Sequence, residues 1–286
     1  MTGRDGYPAG VPCWVDTEQP DPVAATEFYG SLFGWAFEER TPPGSDDRYF
    51  IATLDGQLVA AVAPARDGGG GDRPPVWNTY IWVDDADDSA ALVWKEGGTV
   101  HLDPVDAGPA GRMAIVSDPT GASFRLWQAG RNRGAQVVNA DNSWNWSNLD
   151  TPDPLTARAF YGAVFGWELD TIDLGDDEAM MWRLPGYGDH LADRDPDLRQ
   201  RQASAGAPAG FADAIGWMNR AADGAPAQWG VTFAVGDTDA IVARAVELGA
   251  TVVVDPFDAP AVRVAVLADP QGATFTVNHF DPTTLA

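Results

Sequence analysis

A 22-residue pattern occurs twice in this chain, and that duplication constrains the fold more than any other feature. Residues 14–35 read WVDTEQPDPVAATEFYGSLFGW and residues 146–167 read WSNLDTPDPLTARAFYGAVFGW. With Trp14 laid on Trp146, Asp21-Pro22 falls on Asp153-Pro154, and Phe28, Tyr29, Phe33, Gly34 and Trp35 fall on Phe160, Tyr161, Phe165, Gly166 and Trp167. Each copy reads as a strand ending in Asp-Pro, where the Asp caps a helix and the Pro takes its first position without losing a hydrogen bond. An apolar helical stripe follows, and a glycine ends it. Later landmarks repeat too: Asp103-Pro104 matches Asp255-Pro256, and DPTGASF from Asp118 matches DPQGATF from Asp269.

Two tandem halves are therefore expected: residues 1–128, a polar linker over 129–143, and residues 144–286. Each half divides again into two strand–helix–strand–strand–strand units, giving an α/β fold of four such units in two cupped half-barrels. In the first half the pattern predicts a loose arm over 1–11, a helix over 22–33, and strands over 12–18, 35–40, 48–54, 57–63, 77–83, 99–103, 111–117 and 122–128. The Gly/Pro-rich segment 66–75 has no periodicity and reads as a loop. Phe28, Phe33, Phe160 and Phe165 are expected to be buried beneath their helices, against the sheet of their own half. Trp14 and Trp146 lie 132 positions apart but Asp118 and Asp269 lie 151 apart, so about 19 residues are inserted in the second half. The insertion falls at about 186–208, after a strand over 178–184, with a charged helix expected over 192–204. Long insertions in compact domains tend to carry function.

Composition narrows the partners. A net charge of −24 opposes nucleic acid and anionic membranes, which both call for a basic face. One cysteine, Cys13, gives no intrachain disulfide framework and fits a reducing compartment. It flanks Trp14 and reads as a small core hydrophobe. No signal-peptide pattern and no membrane-length apolar run is visible, so the expectation is a cytoplasmic protein, monomer or homodimer, with a small molecule as partner.

The FYG-x-x-FGW segments, the DPxGAxF segments and the four-unit order resemble the vicinal oxygen chelate superfamily, which includes glyoxalase I, extradiol dioxygenases and bleomycin-resistance proteins. The resemblance covers nearly the whole chain and implies the fold; this fold serves isomerases, dioxygenases, epimerases, lyases and binders alike. Metal-dependent members place His or Gln on the first strand of a unit and Glu on the last. The positions that correspond here are Trp14, Asn78 and Arg125 in the first half and Trp146, Gly230 and Thr276 in the second. None is a His or a carboxylate, so no metal and no other cofactor is expected.

Alternation along the strands gives the cup linings. Trp14, Asp16 and Glu18, then Asn78, Tyr80 and Trp82, then Ser123, Arg125 and Trp127 would face the first cup. Trp146, Asn148 and Asp150, then Gly230, Thr232 and Ala234, then Thr274, Thr276 and Asn278 would face the second, leaving it roomier unless the insertion fills it. Aromatic walls with a few placed polar groups suit a small-molecule pocket, although a tryptophan there serves equally as core filler. Arg125 beside Asp16 or Glu18 reads first as a structural ion pair. His101 and His279 stand alone on strands. His190 differs: with Tyr187 and Asp189 on the insertion it forms a candidate acid–base set, the alternative being a surface histidine beside a helix cap. The expected function is metal-independent binding of a hydrophobic or aromatic small molecule, of the resistance or sequestration type. The alternative is an isomerase, lyase or hydroxylase-like enzyme using Tyr187, Asp189 and His190.

Overall fold

A computed structural model describes residues 5–41, 48–65, 74–173, 178–222 and 224–281. The expected loop at 66–75 lies largely outside them. The first half runs β1 (Pro12–Gln19), α1 (Pro22–Phe33), β2 (Ala36–Glu39), β3 (Phe50–Leu54), β4 (Gln57–Pro64), β5 (Val76–Trp82), α2 (Ala86–Lys95), β6 (Thr99–Asp106), β7 (Gly111–Ser117) and β8 (Ser123–Ala129). The second runs β9 (Ser143–Thr151), α3 (Pro154–Phe165), β10 (Glu168–Asp173), β11 (Glu178–Arg183), α4 (Tyr187–Ala192), α5 (Leu198–Ser204), β12 (Ala214–Arg220), β13 (Gln228–Ala234), α6 (Thr238–Glu247), β14 (Thr251–Ala259), β15 (Val262–Ala268) and β16 (Thr274–Phe280).

Each half forms its own eight-stranded sheet, ordered β2-β3-β4-β1-β5-β8-β7-β6 and β10-β11-β12-β9-β13-β16-β15-β14. The first strands of the two units in each half, β1 with β5 and β9 with β13, pair antiparallel at the centre. The sheets curl into cups, one per half, whose convex faces carry the helices.

The repeated Asp-Pro does what its chemistry predicts. Asp21 accepts from the backbone N–H groups of Val23 and Ala24, and Asp153 accepts from Thr156 N. Gly34 and Gly166 close the helices in the left-handed region at φ 73° and 72°.

The helices do not pack as their sequence pattern suggested. Phe33 of α1 meets Phe233 of the second sheet at 5.0 Å between ring centroids, and Phe28 meets Phe275. Reciprocally, Phe160 and Phe165 of α3 meet Phe124 of the first sheet. Each helix is thus shared between its own sheet and the other half's, and Phe165 stays half-exposed. Polar contacts cross in the same reciprocal way. Tyr29 Oη donates to Asp269 at 2.8 Å and Tyr161 Oη to Asp118 at 3.1 Å. Trp35 Nε1 donates to the Asn142 carbonyl, and Trp167 Nε1 to the Gly10 carbonyl. The aspartates of the two DPxGAxF segments therefore hold tyrosines of the two FYG segments across the halves.

Two further expectations are corrected. The arm is not loose over its described residues: Tyr7 and Val11 are buried, and Tyr7 Oη donates to the Ala135 carbonyl at 2.6 Å. The insertion contains two short helices rather than one. Pro196 interrupts the run, because a proline lacks the N–H a helix interior requires and disfavours helical geometry in the residue before it. No helix is long and apolar enough to cross a membrane among the described residues.

Candidate functional site: two unequal cups

The first cup is filled by its own side chains. Trp14 and Asp16 on β1, Asn78, Tyr80 and Trp82 on β5, and Arg125 and Trp127 on β8 are all buried. Asp16 is the centre of a closed network. Tyr80 Oη donates to its Oδ2 at 2.5 Å, Tyr49 Oη donates to the same oxygen at 3.3 Å, and Asn78 Nδ2 donates to Oδ1 at 2.9 Å. Trp14 Nε1 donates in turn to Tyr49 Oη. Burial, followed by the Asp16 charge, raises both tyrosines well above the ordinary phenol value, so they act as donors and not as anions.

Arg125 is 3% exposed and pairs with Glu18 at 2.5 Å, the structural ion pair its position suggested. Burial opposes its charge, but facing Tyr80, Glu18 and Asp16 reverses that and raises its pKa above the usual guanidinium value. Its guanidinium carbon lies 5.7 Å from the Tyr80 ring centroid, and the Trp127 ring meets Tyr80 edge-on. Trp82 is covered by the Tyr7 ring and the Arg133 guanidinium, which closes that end of the cup.

The second cup is built on the equivalent strands of the other half with smaller side chains. Register puts Thr232 opposite both Trp146 and Thr276, so the three share the concave face, and Asn148 Nδ2 donates to Thr232 Oγ1 at 2.8 Å. Here Thr232 stands where Tyr80 does in the first cup, Ala234 where Trp82 does, Thr276 where Arg125 does, and Asn278 where Trp127 does. The consequence is exposure: Trp146, Asn148, Asp150, Gly230 and Thr276 are all half-exposed. The far wall is apolar. Val254, Phe257, Val262, Val264 and Val266 share this face by strand register, with Phe280 opposite Val262; Phe257 is 46% and Phe280 53% exposed. Alternation in VRVAVLA would have revealed this wall from sequence, as IGWMN would have revealed Trp217.

The insertion leans on this cup through Phe211, whose ring meets both Trp146 and Trp217. Trp217 meets Trp146 at 5.9 Å, completing an aromatic trio. Gly186 turns the chain into α4 at φ 87°, and a side chain at Gly188 would strike Ala212. Asp213 accepts from Gly188 N at 2.7 Å and pins the helix start. Tyr187 is buried, with its ring stacked parallel on that of His190 at 6.3 Å. Asp189 turns outward and pairs with Arg199 at 2.8 Å, so the three do not form one hydrogen-bonded set. His101 bonds Ser117, His279 bonds the Val235 carbonyl, and Cys13 is fully buried with its thiol pKa pushed up by burial.

These features, two cupped sheets each built from paired units, decide the family together with sequence matches. Residues 146–278 match the Glyoxalase-like domain family, and residues 19–126 match the Glyoxalase/Bleomycin resistance protein/Dioxygenase superfamily. The chain belongs to that superfamily. It is 41% identical over 278 residues, 97% of both chains, to "Putative glyoxylase CFP32" of Mycobacterium tuberculosis. It is 36% identical over 287 residues, 95% of this chain and 94% of the other, to Anthracycline biosynthesis protein DnrV of Streptomyces peucetius. Its fold is that of the Mn(II)-bound glyoxalase of Novosphingobium aromaticivorans, with a TM-score of 0.59 at 16% identity covering 100% of this chain and 87% of that one. The 2,3-dioxygenase LapB of Pseudomonas sp. KL28 is similar too, with a TM-score of 0.57 at 12% identity covering 96% and 93%.

Metals occur in this superfamily, but the donor set here does not suit one. At the positions where relatives carry ligands, the first cup presents an indole, an amide and a buried guanidinium whose Nε has no partner, and that group repels a cation. The second presents an indole, a glycine and a threonine. Among the described residues no three His, Cys, Asp or Glu side chains converge.

Proposed function

We propose that the second cup binds a flat, apolar or aromatic small molecule through shape and a few hydrogen bonds, without a divalent metal, and that the protein serves to hold that molecule. The observation that carries this reading is the exchange of side chains between equivalent cups. Tyr80, Trp82, Arg125 and Trp127 fill the first, whereas Thr232, Ala234, Thr276 and Asn278 line the second around a retained, half-exposed Trp146. Removing large side chains while keeping an aromatic floor makes room for an aromatic ligand, with Asn148, Thr232 and Thr276 as orienting groups. The named role of DnrV in anthracycline biosynthesis accords with a small-molecule ligand.

Titration with naphthol tests this. Tryptophan fluorescence should be quenched, the naphthol should be recovered unchanged, and a chelator should leave the affinity as it was. Trp146→Ala and Thr232→Tyr should each weaken binding about tenfold or more. Chelator-sensitive binding, or binding indifferent to both substitutions, would overturn the proposal.

One observation favours a second reading, chemistry on the ligand: the insertion stacks His190 on Tyr187 in the helix whose Gly188 abuts Ala212, the neighbour of Phe211. Altered ligand, formed about 10²-fold more slowly by His190→Ala, would establish it.

A further inference from the structure

The two cups differ by one charge as well as by volume. In the first, Glu18 on β1 is answered by Arg125 on β8 at 2.5 Å. The equivalent pair in the second is Asp150 on β9 and Thr276 on β16, so the acid is kept and the cation is gone. Asp150 faces the cup, since it alternates with Trp146 and Asn148 along β9, and Asn219 Nδ2 on the neighbouring β12 donates to it at 2.9 Å in register. That partner is neutral, and no ion pair engages Asp150 among the described residues. A carboxylate that keeps its place on a half-buried wall after losing its counter-ion offers a site for a cation of similar reach. The chain's net charge of −24 adds a field of the same sign.

The aromatic filler has gone with the cation, because Tyr80 is replaced by Thr232. The first cup therefore records what the second lacks: a positive group 5.7 Å from the centre of an aromatic ring. The geometry points to an arylalkylamine as the ligand of the second cup, its ring against Trp146 and its protonated nitrogen, set off from the ring by a short alkyl chain, directed past Thr276 toward Asp150. This rests on the second cup being the ligand site and adds the charge its ligand carries. An anionic ligand would meet Asp150 without a compensating cation, and a neutral one would leave Asp150 as it stands.

The experiment compares three probes with one aromatic body: naphthylethylamine, ethylnaphthalene and naphthylpropionate. Each is titrated near neutral pH into the intact protein and followed by tryptophan fluorescence and calorimetry. The amine should bind about tenfold or more tighter than ethylnaphthalene, and the propionate most weakly. That advantage should shrink as salt screens the charge. Asp150→Asn should bring the amine down to the level of ethylnaphthalene, with the melting temperature checked to show that the fold is kept. Thr276→Arg, which rebuilds the ion pair of the first cup, should expel the amine. Equal affinities for all three probes, or an amine advantage that survives Asp150→Asn, would overturn the inference while leaving the aromatic cup in place. Failure of all three to bind would overturn both.

Discussion

Asp269 shows how much one side chain can do here. Its Oδ1 closes its own turn by accepting from Gln271 N and Ala273 N, while its Oδ2 accepts from Gln19 Nε2 and Tyr29 Oη of the other half. Asp118 repeats the arrangement with Thr120, Ala122 and Tyr161. Arg125 is the other residue on which a cup depends. It is buried against Glu18 and Tyr80, so a neutral substitute takes the guanidinium away from the Glu18 carboxylate at the cup wall. Removing one partner of a buried pair costs more than removing both, because the remaining charge goes uncompensated. Arg125→Met is expected to destabilise the protein by about 3 kcal/mol in urea denaturation, and Glu18→Leu with Arg125→Met to recover most of that loss. Equal losses in the single and double variants would show that Arg125 contributes by packing alone.

At the scale of elements, the repeat made the helices legible, and α1 spans the residues its Asp-Pro start and Gly34 stop marked out. The alternation that assigned the cup linings agrees with the register of β1, β5 and β8, down to Trp14 opposite Tyr80 and Tyr80 opposite Arg125. What the pattern could not show was the partner of each helix's second face. Periodicity reports that Phe28, Phe33 and Phe160 are apolar on one side, and it says nothing of whose sheet covers them. Phe211 carries no such signal, because it joins Trp146 only once the insertion folds back over its own half, whereas Trp217 sits on β12 beside β9, where alternation marks it. Tyr49, which bonds Asp16, falls within the strand expected over 48–54 but just ahead of β3, and the cup linings read from β1, β5 and β8 do not include it. The helix docking yields a prediction. Phe160 is 2% exposed, lies against Phe124 of the other half, and crowds the space a side chain would need at Gly98. Phe160→Ala should cost about 3–5 kcal/mol in denaturant unfolding. The loss should loosen the contact between halves and not α3 alone, so hydrogen exchange should quicken around Phe124 as well.

For the whole molecule, the reciprocal contacts tie the two halves together, and a pH dependence follows from how they are made. Tyr29 and Tyr161 are buried between the halves, each donating to an aspartate across the junction and accepting from an indole, Trp77 or Trp229. Burial first, and then the charge of Asp269 or Asp118, raises both phenols well above their ordinary value. Tyr49 and Tyr80 are raised in the same sense. In the unfolded chain a tyrosine loses its proton near pH 10, whereas in the fold these four keep theirs. Below that pH both states are protonated and the contribution is fully present. Above it the unfolded state binds fewer protons than the folded one, so stability falls as pH rises, by up to about 1.4 kcal/mol per pH unit for each tyrosine. Unfolding should remain a single transition, with the tyrosine contribution constant to about pH 9 and declining steeply beyond about pH 10. Mutual repulsion among the acidic groups also changes with pH, so the comparison that isolates the tyrosines is with Tyr29→Phe and Tyr161→Phe. Each should remove one proton's share of the alkaline slope, at the cost of one buried hydrogen bond to its aspartate. Phenolate absorbance from these side chains should appear only as the protein unfolds. If it grew in near pH 10 while the protein stayed folded, or if two separate transitions were seen, the halves would be opening independently and the reciprocal lock would not govern stability.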